Sequence, residues 1–212
     1  MSFIHDPLAI EAYSREIIAA RLDTSGLGSG ERAIVTRIIH ATGDLEYARL
    51  VRIHPRLVQV ATAALRQGVD IITDIEMVRQ GISRPLLARG GGKVICAIHE
   101  DAVVKEAAAQ GVTRAMVAME YLASRMAGAL VAIGNAPTAL FRLLELVAAG
   151  QAAPVAIIGT PVGFVGAAEA KAALEAASIP FVTVRGTRGG STIAVAAVNA
   201  LLHLAWDGGG EG

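Results

Sequence analysis

The chain has 212 residues, enough for one large domain, and 53% of them are apolar, enough to fill a sizeable core. Aromatics make up only 4%, while Ala, Val, Ile and Gly dominate, a mix that favours helices packed closely on a sheet over a β-sandwich. A formal net charge of zero excludes the broad basic footprint of a nucleic-acid or membrane-surface binder.

Residues 1–68 read as a helical segment. Asp6-Pro7 is an N-cap followed by proline at the first helical position, and Ile10, Tyr13, Ile17 and Ile18 then recur at helical spacing. "LDTSGLGSG" is a turn-rich connector. A second helix runs from about Gly30 to Ala41 and stops near Gly43, and a third spans Pro55 to Gln67.

From Val69 the pattern changes to five short apolar runs, "VDIIT", "KVICAI", "ALVAIG", "PVAIIG" and "FVTVRG", each followed by helical sequence. They are too short for helices and mostly apolar on both alternating faces, as parallel strands covered on each side must be. The helices between and after them are 101–110, 113–127, 136–148, 165–177 and 191–206. Five such units predict a three-layer α/β/α fold over 69–206, with a five-stranded, mainly parallel sheet in the order 2-1-3-4-5. The whole chain, 1–212, then reads as one domain, with 207–212 ("GGGEG" at its end) a mobile tail.

Ligands of open parallel sheets sit beyond the carboxyl ends of the strands. That rule points to "TDIEM" (73–77), "IGNAPT" (133–138), "IGTPVGFVG" (158–166) and "RGTRGGST" (185–192). Asn135 and Ser191 read as N-caps there, and helix N-termini favour anions. Sixteen of the nineteen basic residues are Arg. Arg forks bind carboxylates bidentately, so the bias suits a multiply anionic ligand, although high-GC codon usage produces it equally.

Motifs for other chemistry are incomplete. "GTPVGFVG" has Pro161 where a dinucleotide fingerprint needs its second glycine, and the next strand ends in Arg185 and not in an acidic ribose ligand. "GGGKV" (90–94) lacks the Ser/Thr after Lys93 and enters a strand, so it reads as a turn and not a phosphate loop. The five histidines are scattered, without metal-ligand spacing, and Cys96, the single cysteine, reads as a small buried hydrophobe. No run of about 18 apolar residues is long enough to span a bilayer, and no leader is legible, so a soluble cytoplasmic protein is expected.

"TRIIHATGD" (36–44) raises a different possibility. Ile34, Val35, Ile38 and Ile39 form one arc of the second helix, whereas Arg37 and His40 are neighbours at i, i+3 on the other side. Core packing does not explain this histidine. A solvated His–Arg pair and a proton donor beside a carboxylate clamp both fit.

Several stretches together decide between them. "IIHATGDLE", "VDIITDIEMVRQGISR", "VAIGNAPTALFRLLEL", "PVGFVGAAEAKAAL" and "PFVTVRGTRGGSTIAVAAVNAL" closely resemble the precorrin-8X methylmutase family, from about Asp6 to Leu202. The resemblance implies a flavodoxin-like α/β domain acting as a homodimer, an isomerase of corrin (vitamin B12) biosynthesis. It implies transfer of a methyl group from carbon 11 to carbon 12 of precorrin-8X or its cobalt-containing counterpart, giving hydrogenobyrinate or cobyrinate, with no separate cofactor. The family's catalytic histidine falls on His40, and its substrate-contacting arginine and serine fall on Arg37 and Ser14. Arg84, Arg114, Arg185 and Arg188 are further candidates for substrate carboxylates by loop position, as is Asn135 at the rim. Two alternatives stay open: an NADP-dependent oxidoreductase with Arg185 at the 2′-phosphate, and a tetrapyrrole carrier in which His40 only hydrogen-bonds the ligand.

Overall fold

The computed structural model describes residues 4–22 and 26–207; the 208–212 part of the expected mobile tail lies outside them. Local chemistry sets the first elements. Helix α1 (Pro7–Arg21) starts where the Asp6 carboxylate accepts the Leu8 N–H at 3.1 Å. Helix α2 (Ser29–Thr42) starts where the Glu31 carboxylate accepts the Gly28 N–H at 2.9 Å. It stops at Gly43, which adopts φ 66° and returns its N–H to the Ile39 carbonyl, a conformation that strains any residue with a Cβ.

The segment expected to be wholly helical then contains a strand. After the single turn α3 (Tyr47–Leu50) comes β1 (Val51–Ile53), followed by α4 (Leu57–Arg66). The core follows as β2 (Ile71–Thr73), α5 (Glu76–Gly81), α6 (Arg84–Ala88), β3 (Val94–Cys96), α7 (Asp101–Gln110) and α8 (Arg114–Leu122). It continues through β4 (Leu130–Ile133), α9 (Pro137–Ala148), β5 (Ala156–Gly159), α10 (Ala167–Ala176), β6 (Phe181–Val184) and α11 (Ser191–Trp206).

The sheet has six strands, not five, in the order β1-β6-β5-β4-β2-β3. All neighbours are parallel except β1, which pairs antiparallel with β6 through Val51↔Val184 and Ile53↔Val182. Alternating side chains separate two cores. Ile71, Leu130, Ala132, Ile158, Val182 and Val184 face the layer containing α2, α4 and α11. Ile72, Val131, Ile133, Ile157 and Phe181 face α7, α8, α9 and α10. Burial on both sides is why these strands read as unbroken apolar runs.

Two features shape the carboxyl rim of the sheet. At Gly134 a Cβ would stand 2.7 Å from Ser191 Cα, so glycine is what lets α11 begin against the end of β4. At the end of β2, the fully buried Asp74 carboxylate accepts the N–H groups of Gly134, Asn135 and Ala136 at 3.0, 2.9 and 2.9 Å. The expected N-caps are corrected accordingly. Ala136 caps α9 and Gly190 caps α11, neither through a side chain, and the anion at the start of α9 is the protein's own Asp74. Three amides, those of Gly134 and Ala136 buried, depend on that carboxylate. Asp74→Ala should therefore lower the unfolding free energy in urea by about 3 kcal/mol, and Asp74→Asn by less because one amide oxygen remains as an acceptor.

Candidate functional site

The sequence-predicted residues fall into separate groups. In the first, His40 is exposed in the last turn of α2, while Ile34, Val35, Ile38 and Ile39 are buried. Arg37, one turn earlier, is half-buried and reaches Glu11 of α1 at 3.5 Å. Glu11 also pairs with Arg15 at 3.0 Å. The contact to Arg37 is long and single, so an incoming carboxylate could replace it at little cost. Ser14, three residues after Glu11, donates its hydroxyl to the Ile10 carbonyl at 2.8 Å, a bond within its own helix.

Just beyond His40, the chain is tied to the sheet. Arg188, in the loop after β6, places Nη1 2.7 Å from Asp44 Oδ2 and 2.6 Å from Glu46 Oε2. This occupies the guanidinium expected for substrate and gives it an internal role. Tyr47 lies in the same field: burial pushes its phenol above the usual range, and the Arg188 charge pulls it back.

The loop carrying Arg188 is rich in glycine and held from below. Gly190 N–H donates to the Thr160 carbonyl at 2.7 Å, and Thr187 carbonyl accepts Gly163 N–H at 3.1 Å. Lys171 of α10, only 1% exposed, donates its ammonium to the Arg188 carbonyl. Burial lowers the pKa of Lys171 to about 8, and no carboxylate pairs with it among the described residues. Sequence reasoning missed this lysine. The available signal was its place on the stripe Ala167, Ala170, Lys171, Leu174, all buried, while both glutamates of the helix lie off that stripe.

Arg185 points elsewhere. It grips Glu175 of α10 through Nε at 3.0 Å and also through Nη2, and Arg52 approaches the same carboxylate at 3.8 Å. These contacts hold the pKa of Glu175 below the usual carboxylate range. Arg185 is thus already paired bidentately with a carboxylate, on the α10 side of β6.

Arg114 and Asn135 line a separate cleft of about 440 Å³ beyond β2, β3 and β4, together with Met77, His99 and Thr113. The Asn135 N–H is committed to Asp74. Burial pushes the Asp74 carboxyl up, and the three N–H bonds draw it partly back. Arg84 belongs to neither group: it is exposed on α6 and donates to Gln80 at 2.8 Å. Among the described residues no helix is long and apolar enough to cross a membrane.

These features define an α/β domain built on a mostly parallel sheet, whose carboxyl rim is joined to the end of α2 through Arg188. Comparison with known proteins makes the class specific. A model of the Precorrin-8X methylmutase family matches residues 9–204. The cobalt-precorrin-8 methylmutase of Methanothermobacter thermautotrophicus is 47% identical, over 92% of this chain and 91% of its own. The precorrin-8X methylmutase of a Sinorhizobium species is 44% identical over 94% and 95%. A crystal structure of precorrin-8X methylmutase from Thermus thermophilus superposes with a TM-score of 0.87 at 37% identity, covering 95% of this chain and 100% of that one. The chain belongs to the precorrin-8X methylmutase family.

The buried ammonium has a pH signature. A lysine whose pKa falls from 10.5 to about 8 on folding binds fewer protons in the native than in the unfolded chain between those limits. Its charge therefore opposes folding below about pH 8, and that opposition fades as pH rises toward 10.5. Thermal melts of Lys171→Met and wild type should show the variant's relative stability highest near neutrality and falling steadily across this window.

Proposed function

We propose that this chain moves a methyl group from carbon 11 to carbon 12 of the corrin precursor precorrin-8X, or of its cobalt-containing form, with His40 as the proton donor. The products would be hydrogenobyrinate and cobyrinate, respectively. The observation that carries the reading is the family match over residues 9–204 coupled to an exposed His40 with Arg37 one helical turn away. Substrate and product are isomers, so the protein must hold the ring and manage protons. A proton given to the macrocycle lowers the barrier to a 1,5-shift of the methyl group, and a proton must then leave the ring to restore the balance. An imidazole can do both near neutrality. Arg37 would bind a peripheral carboxylate, exchanging its long contact with Glu11 for a charge-assisted one. Ser14 would contact the substrate from α1, and Arg114 with Asn135 would receive further side arms in the second cleft.

We further infer a homodimer in the cytoplasm. Ile10, Tyr13 and Ile17 are 45%, 55% and 38% exposed on one stripe of α1, an apolar surface that a second copy could cover. The ion pairing of Arg185 argues against the oxidoreductase alternative, and turnover separates an enzyme from a carrier.

The test is direct. His40→Ala should fold normally and bind the product corrinoid, yet lose about 10²–10⁴-fold in turnover, the range for general acid catalysis. Arg37→Ala should weaken product binding by about 1.5–3 kcal/mol, and Arg37→Lys should restore only part because an ammonium lacks the fork. Near-wild-type turnover by His40→Ala would remove the histidine from the mechanism. A reaction that runs only with added nicotinamide would remove the isomerase reading itself.

A further inference from the structure

Lys171 poses a physical problem that stability does not solve. An ammonium buried without a carboxylate is costly, and an apolar side chain of similar volume in its place is often neutral or stabilising. Its acceptor among the described residues is the backbone carbonyl of Arg188. The surrounding loop runs Gly186, Thr187, Arg188, Gly189, Gly190, with φ of 78° at Gly186 and 125° at Gly190, so it has little conformational preference of its own. Gly190 is fixed to Thr160 and Thr187 to Gly163, which leaves residue 188 itself to the lysine. From that fixed carbonyl, the Arg188 side chain spans to Asp44 and Glu46. Those carboxylates directly follow Gly43, whose left-handed turn ends the helix bearing His40.

We propose that Lys171 is a positioning residue for His40, acting through the Arg188 loop and the segment after α2. The proposal rests on the methylmutase reading for its catalytic consequence. The lysine never meets the substrate. It fixes the carbonyl from which Arg188 reaches out, and Arg188 fixes the exit of α2. Arg37 sits a turn further from that exit, within the body of α2, so loosening the exit disturbs ring binding less than proton delivery.

The test uses Lys171→Met and, at the far end of the same connection, the double variant Asp44→Asn/Glu46→Gln. Each should retain product affinity and KM but lose about 10–100-fold in kcat, the scale expected when a reacting group is displaced by about 1 Å. Combining the two changes should cost no more than the larger alone, because both cut one connection. Imidazole NMR of the ligand-free protein should show the His40 resonances shifted or broadened in both variants. Wild-type kcat with unmoved His40 resonances, or fully additive losses, would overturn the proposal. If Lys171→Met does not fold, the double variant decides by the same two readouts. The NMR readout needs no substrate, so moved resonances in a protein whose wild type rearranges nothing would refute the methylmutase reading while upholding the positioning claim.

Discussion

One guanidinium shared by two carboxylates joins the end of α2 to the loop after β6 at the rim of the sheet, and on our proposal the geometry of the candidate site depends on it. Arg188 contacts Asp44 and Glu46 at about hydrogen-bond distance, while partly exposed to solvent. Exposed ion pairs contribute little to stability, so its effect is better understood as placement. Core packing of Tyr47 and the pairing of β1 with β6 also hold this segment, and Arg188 adds a side-chain tie at the turn itself, beside the local bonds of Thr42 to Ile38 and of Glu46 to Asp44. The sheet supplies the rigid base: parallel strands buried on both faces, with Asp74 locking the ends of β2 and β4 together through three amides.

The same structure redistributes the arginines. A surplus of Arg suggests many carboxylate sites for ligand, yet most of the guanidinia are engaged within the protein. Arg185 holds Glu175, Arg142 holds Glu120 and Glu145, Arg79 holds Glu76, and Arg188 holds the α2 exit. Arg114, facing the second cleft, forms no ion pair among the described residues, and Arg37 forms only a long one. A flat, multiply anionic macrocycle therefore needs to find only a few forks, spaced across the rim and the end of α2. Selectivity for such a ligand follows from their separation more than from their number.

Much of this was legible in the sequence because burial writes itself into periodicity. The five parallel strands showed as apolar runs, and α2 showed its buried arc and its glycine stop. Strand β1 was hidden because three residues, Val51–Ile53, carry no pattern, and their partner Val182–Val184 comes into reach only in the fold. The short helices α5 and α6 were hidden for the same lack of length. Asn135 looked like a cap because of its side chain, whereas its backbone does the work and Asp74, far away in sequence, supplies the anion. Lys171 betrays its burial by its place on the apolar stripe of α10, but its partner was hidden for a related reason: a carbonyl has no residue type to recognise. His40 was legible as a residue without a packing role, and the structure leaves it exposed at the end of α2.

The account's central claim is that the ring binds at the end of α2 with His40 against it. A crystal structure of the protein with the product corrinoid bound tests this most directly. The account predicts the macrocycle across the carboxyl rim, an imidazole nitrogen of His40 within hydrogen-bond reach of a ring atom, and a ring carboxylate on Arg37. A macrocycle seated wholly in the cleft of His99 and Arg114, with His40 left in solvent, would contradict it.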